Sequence, residues 1–394
     1  MVDIVKIAVV LLTIVIFTKL KWNIGLIMIL CSALVAVFYS MSLPDLWKSI
    51  YLTIKDYNTI KLILALTLIR GFELVLRQKG LLSRMMDTLR ILLKGSRWVI
   101  PVMPALIGML PSVGGALFSA PMVAETTKEL NMSSEKKSFL NYWFRHPWEF
   151  VLPLYPGIVL ASGITGISLR RLIIANSIYA LAMVIVGTLL GLRKIKVINS
   201  ANSAVNNRDF KSFLPFISLL LFVIVFHIDL LYALIIEMLL LFIFLKFPPA
   251  KIYETLRNSV SIEIIGLIFG VLLFKTTLEM SGAVKNLSNF FTTANIPLLP
   301  LLFFLPFIVG MLTGFTVGFV GATFPLLLSL IHENTLHYIT FAFCSGYCGV
   351  LLSPVHLCLV LTRQYFDADL WRVYRRIIPA TLTVLASGIV MYLV

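Results

Sequence analysis

Charge is scarce in this chain. Only 13% of its 394 residues are Asp, Glu, Lys or Arg, against 59% hydrophobic residues and a mean hydropathy of +0.98. That balance excludes the two or three soluble domains its length would otherwise allow. A membrane span needs about 20 apolar residues, so ten spans would use about 200 and leave short loops. Cysteine is equally sparse: Cys31, Cys344, Cys348 and Cys358 all lie in apolar segments, with no CxxC pair. A disulfide framework and a redox role are thereby excluded. Cys344 and Cys348 share a helix face, yet no His or further Cys stands near them in sequence, so no metal site is expected. Phosphate loop, nucleotide fingerprint and HExxH are all missing, which argues against nucleotide-driven transport by this chain and against a bound cofactor.

Acidic residues are the rarer sign, 18 against 33 Lys and Arg. No basic run alternates with aromatics, so the excess points to membrane topology rather than to nucleic acid. The apolar N-terminus has no small-residue cleavage site before Lys19 and Lys21 and is expected to stay as the first span.

Hydropathy places spans near 4–18, 24–40, 59–76, 141–162 and 172–192, then near 213–228, 230–246, 261–279, 339–361 and 375–393. Each half also holds a Pro- and Gly-interrupted apolar stretch, 100–125 and 297–331. The first contains Pro101, Pro104, Pro111, Gly114, Gly115 and Pro121, which would break a continuous helix. Two arms of about 12 residues, each about 18 Å long, do not cross a ~30 Å core. Each stretch is therefore expected to be a re-entrant helix hairpin. The tips are Pro111–Gly115 and Thr313–Gly318.

The halves match in order. Gly80 pairs with Gly282, PALIGML at Pro104 with PFIVGML at Pro306, Pro153 with Pro354, and Pro44 with Pro249, all about 200 residues apart. The expected division is a first repeat at 1–197, a cytoplasmic linker at 198–211 and a second repeat at 212–394. Five crossings plus one hairpin per half is an odd number, which turns the second copy upside down. Charge agrees with this. With both termini outside, the inner loops hold Arg77, Lys79, Arg84, Arg90, Lys94 and Arg97, and later Arg363, Arg372, Arg375 and Arg376, while few cations fall outside. The fold expected is an all-α polytopic membrane protein of two inverted repeats, each of five transmembrane helices plus one re-entrant hairpin.

Such repeats with broken helices near the midplane are the plan of secondary transporters. Ser112, Gly114, Gly115 and Ser119 on one hairpin, and Thr313, Gly314, Thr316, Gly318, Gly321 and Thr323 on the other, offer amides, hydroxyls and helix N-termini to an anion. The same small residues equally serve close helix packing. The span at 141–162 opens with Arg145, His146 and Glu149 and then reaches Pro153 and Pro156; its partner at 339–361 contains Ser345, Gly346, Gly349, Ser353, Pro354 and His356. Both are expected to be broken helices. Arg145 suits a carboxylate or phosphate, and His146 or Glu149 a coupling proton. Against this, Arg145 also reads as a topology charge with Glu149 as its i+4 partner, and His356 as a packed histidine. Ser345 and Ser353 join His146, Glu149 and His356 as candidates for coupling H+ or Na+. Arg70 with Glu73, and Lys275 with Glu279, have the spacing of structural ion pairs. Glu237 stands alone in its span as either a dimer contact or a proton site.

The strings GMLPSVGGALFSAP (108–121) and NYWFRHPWEFVLPLYPG (141–157) resemble the integral membrane proteins of domain-of-unknown-function family 401. That family is similar to the ion transporter superfamily, with its gluconate permeases and divalent-anion symporters. The resemblance, which extends over nearly the whole chain, implies a prokaryotic plasma-membrane protein, a scaffold that forms a homodimer, and a mobile domain moving like an elevator with small organic anions as cargo. The Ser-Asn-Thr signature of the divalent-anion symporters is absent from both tips. Besides an ion-coupled carrier of a small carboxylate, the residues allow a transporter of lipid phosphates. An intramembrane enzyme built on His146 and Glu149 would lack a recognisable nucleophile and base.

Overall fold

The computed structural model describes every residue except 1, 21, 94–96, 112–114, 129, 194, 196–208, 287–296, 329, 332–335 and 394, so most of the expected linker lies outside the described residues. Those described are helical throughout, with no strand among them. The first half runs α1 (Val2–Lys19), α2 (Ile24–Phe38), α3 (Leu43–Lys55), α4 (Tyr57–Gln78), α5 (Leu81–Leu92), α6 (Val99–Gly108), α7 (Ala116–Thr126), α8 (Ser134–Arg145), α9 (Trp148–Val151), α10 (Pro156–Thr165) and α11 (Leu169–Gly191). The second half runs α12 (Leu214–Leu220), α13 (Leu230–Phe244), α14 (Pro249–Ser259), α15 (Ile262–Met280), α16 (Leu298–Thr313), α17 (Thr316–Leu328), α18 (Leu336–Leu351), α19 (Leu357–Phe366) and α20 (Leu370–Leu393).

Local chemistry starts several of these helices. Asn23, Ser42, Asp56, Ser133 and Asp229 each accept a first-turn amide with a side-chain oxygen, satisfying donors the helix itself cannot. Gly166 ends α10 and Asp367 ends α19 in the left-handed region, at φ 72° and 48°.

By length and composition, Ser134–Thr165, Leu169–Gly191 and Leu370–Tyr392 can each cross a membrane, and α14 with α15, bent by 43° at their junction, can form a fourth span. This marks a helical membrane protein. α11 shows why in detail. Asn176, Tyr179 and Met183 on one face are buried, whereas Ile174, Ile178, Leu181, Ile185 and Leu189 on the other are exposed. A helix apolar all round is at home in lipid. The shorter apolar helices run from 10 to 17 residues.

The helices gather into two bundles. In one, α2 packs on α15 and α4 on α13, with α3 against α15 and α14 against α4. The other holds α6 to α11 and α16 to α20. Its contacts pair α6 with α8, α16 with α18, α7 with α19 and α10 with α17. Small residues set the closest crossings. A Cβ on Gly108 would fall 2.2 Å from the Arg145 carbonyl oxygen, and one on Gly310 would fall 2.1 Å from that of Gly346.

Two sequence expectations change here. The expected break falls at 352–356, on the Ser353, Pro354 and His356 part of the set, while α18 runs unbroken through Ser345, Gly346 and Gly349. Those glycines serve packing, since Gly346 faces the Phe319 ring and Gly349 the Phe307 carbonyl. Glu73 pairs with Arg77 at 2.9 Å rather than with Arg70, because both arginines lie one helical turn away and Arg70 points outward. Lys275 and Glu279 do meet, at 4.0 Å. Glu237 accepts a hydrogen bond from Ser218 at 2.8 Å, which ties α12 to α13.

Candidate functional site

Interrupting a helix in an apolar medium exposes backbone groups that must find partners. At the carbonyl ends of the breaks, aromatic side chains supply them. The Tyr142 hydroxyl donates to Leu351 O at 3.0 Å, Tyr374 to Leu352 O at 3.0 Å and Tyr347 to His146 O at 2.9 Å. Tyr155 donates to Gly108 O, and Trp148 Nε1 to Ala105 O at 2.6 Å. Amide ends are treated differently. The starts of α7, α10 and α19 have no side-chain cap.

Those amide ends meet at one cavity of about 350 Å³. Pro156 and Gly157 open α10, Thr316 and Val317 open α17, and Leu357 and Cys358 open α19; all six line it. α7 reaches the same place through the Ala116 amide, which donates to the Cys358 sulfur. Arg145, His146 and Glu149 enter from the break after α8, and Pro111 from just beyond the end of α6. The arrangement thus surrounds a small, largely apolar space with four positive helix ends and a guanidinium.

Inside it, the polar groups are tightly held. Arg145, His146 and His356 are only 3%, 2% and 6% exposed. His146 Nδ1 lies 2.5 Å from the Tyr142 carbonyl, and His146 Nε2 lies 3.0 Å from His356 Nε2. The Thr316 hydroxyl donates to Glu149 Oε2, linking the tip between α16 and α17 to the broken span of the other half. Gly314, at φ 73°, turns the chain between those two helices. Any other residue there would be strained.

Of the residues singled out in the sequence, Arg145, His146, Glu149, Thr313, Gly314, Thr316 and His356 line this cavity. Ser353 stands just behind, its hydroxyl 3.0 Å from where a Gly314 Cβ would be. Ser112 and Gly114 lie outside the described residues, and Gly115 is buried at the start of α7. The others are not brought to the cavity. Ser119, Thr323 and Ser345 spend their hydroxyls on carbonyls of their own helices, Ala116 O, Phe319 O and Phe341 O. Gly318 packs on Thr313 and Gly321 on Val271. Arg145 and Glu149 still attract one another, although α8 stops at Arg145 and no regular helical turn joins them.

Two features escaped the sequence. Cys358 lines the cavity although it reads as one more apolar-segment cysteine; the His-x-Cys spacing just after Pro354 was the available signal. Lys61 and Asp229 form an ion pair at 2.5 Å beside a second cavity of about 570 Å³, between α4, α10, α11 and the start of α13. Arg170 also lines it, and the Lys61 and Asp229 side chains are about a third exposed, unlike the buried Arg145.

Over residues 2–394 the chain matches the family described as protein of unknown function, DUF401. No curated protein matches it.

Proposed function

Because the chain belongs to the DUF401 family, whose description carries no activity, we propose from the geometry of the site that it is an ion-coupled secondary transporter of a small organic anion. The observation that carries this is the convergence of uncapped helix N-termini and Arg145 on one 350 Å³ cavity. Helix N-termini favour negative charge, and a guanidinium can grip a carboxylate through two parallel hydrogen bonds. The volume suits a metabolite-sized anion rather than a lipid headgroup with its tails.

Inverted repeats account for the paired contacts. α2 on α15 mirrors α13 on α4, and α7 on α19 mirrors α17 on α10. Trp143 donates to Met183 O as Cys344 does to Val384 O, and Gly108 meets α8 as Gly310 meets α18. In this reading α6 with α7 and α16 with α17 are re-entrant hairpins, and the bundle containing them is the mobile unit of an elevator. The bundle of α1 to α4 and α12 to α15 is the scaffold, a homodimer in a prokaryotic plasma membrane with both chain ends outside. The kinship is then with the ion transporter superfamily. Glu149, held by Thr316 across the halves, is the coupling carboxylate for H+ or Na+, with the buried histidines beside it.

Uptake of labelled mono- and dicarboxylates into proteoliposomes, under imposed H+ or Na+ gradients, tests the proposal. At least one carboxylate should accumulate under one of the gradients and fail to do so in R145Q. Absence of gradient-driven uptake for every anion, alongside phospholipid scrambling by the same vesicles, would replace it with lipid transport.

A further inference from the structure

Cys358 enters the cavity from the first turn of α19, two positions after His356. One ring nitrogen each of His146 and His356 and the Cys358 sulfur lie within 4.8 Å of one another, and the two Nε2 atoms are 3.0 Å apart. Ligands of a tetrahedral metal, roughly 2.0–2.1 Å away for nitrogen and about 2.3 Å for sulfur, stand roughly 3.3–3.6 Å from each other. The three atoms bracket that spacing.

Their surroundings suit ligation as well. The Tyr142 carbonyl can only accept, so His146 Nδ1 carries the proton and Nε2 presents a lone pair inward. Anchoring of the distal nitrogen by a carbonyl is how metal-binding histidines are usually oriented. Beside His356 the Gly314 backbone offers its ring an acceptor. The Ala116 amide and the Arg145 side chain give the Cys358 sulfur donors of the kind that a metal-bound thiolate accepts. Arg145 also opposes a cation here, and a thiolate ligand offsets that opposition.

We propose that His146, His356 and Cys358 bind a divalent transition metal of the zinc class, with a fourth position open to the cavity. Two imidazoles and a thiolate select such a metal over Ca2+ or Mg2+, which require oxygen ligands. Binding releases the thiol proton to solvent, and the metal then adds a second positive centre beside Arg145. The inference goes beyond transport, and its test needs none.

The full-length protein in detergent, stripped with a chelator, is titrated with Co2+. A tetrahedral cobalt spectrum with a thiolate-to-metal charge-transfer band should saturate at one equivalent per chain and vanish on adding Zn2+. C358S should remove that band and weaken binding by at least about tenfold. C344S and C348S, whose sulfurs donate to Val384 O and Thr381 O in α20, should leave both unchanged. Thermal unfolding of metal-free C358S, expected near that of the parent, shows that the variant is folded. No saturable cobalt binding, or a spectrum unaltered by C358S, would overturn the proposal.

Discussion

His146 and His356, separated by 210 positions, face each other through their Nε2 atoms at 3.0 Å. His146 follows the last residue of α8 and His356 precedes the first of α19, so the contact joins the two helix interruptions. Residues in such contact couple energetically by about 0.5–3 kcal/mol. Replacing both by Gln should therefore cost less stability than the two single changes added together, in metal-free protein unfolded by denaturant in detergent. Additivity within about 0.3–0.5 kcal/mol would mean that the pair carries no structural energy.

Arg145 is the fixed cation of the cavity, and its usefulness depends on shape as well as charge. Lysine keeps the charge but loses the planar fork that holds a carboxylate at two points. R145K should bind the proposed carboxylate cargo about tenfold or more weakly, a loss of about 1.4 kcal/mol, while melting near the parent temperature. Calorimetric titration with that anion measures it. An unchanged affinity would remove Arg145 from the site.

Hydroxyls separate cavity residues from packing residues. Thr316 reaches Glu149 across the halves, whereas Thr323 and Ser345 bond only within their own helices. T316V should abolish gradient-driven accumulation while leaving anion counterflow measurable. T323V and S345A should keep both within about twofold, since surrendering an intrahelical back-bond is nearly neutral. The same proteoliposome assay covers all three, and equal loss in T323V would refute the distinction.

How much of this was legible beforehand varies by residue. Arg145, His146 and Glu149 stood out as the densest polar group in an apolar segment, and the cavity holds all of them. Thr313, Gly314 and Thr316 were marked by the interruption they cause. The meeting of His146 with His356 was not legible, because nothing local encodes a contact across 210 positions. Gly346 and Gly349 misled for a physical reason: glycine that breaks a helix and glycine that admits a neighbouring backbone look alike in sequence, and α18 needs the second. Arg70 and Arg77 were equally ambiguous, each one turn from Glu73.

The α2 and α15 crossing allows that distinction to be measured, because Gly266 and Gly270 sit one turn apart on α15. A Cβ on Gly270 would fall 2.3 Å from the Gly25 carbonyl oxygen, and one on Gly25 would fall 2.3 Å from that of Gly266, yet a Cβ on Gly266 itself meets nothing within 4 Å. Helix propensity alone favours alanine over glycine by about 0.8–1.0 kcal/mol at either position. At Gly266 that gain stands unopposed, so G266A should melt at or above the parent temperature. At Gly270 a methyl must push two backbones apart, and overpacking of that kind costs about 1–3 kcal/mol, enough to reverse the sign. G270A should therefore melt lower, and G25A with it, because the obstruction is backbone that no rotamer change can clear. If G270A were as stable as G266A, the helices would not cross as closely as these carbonyl contacts require.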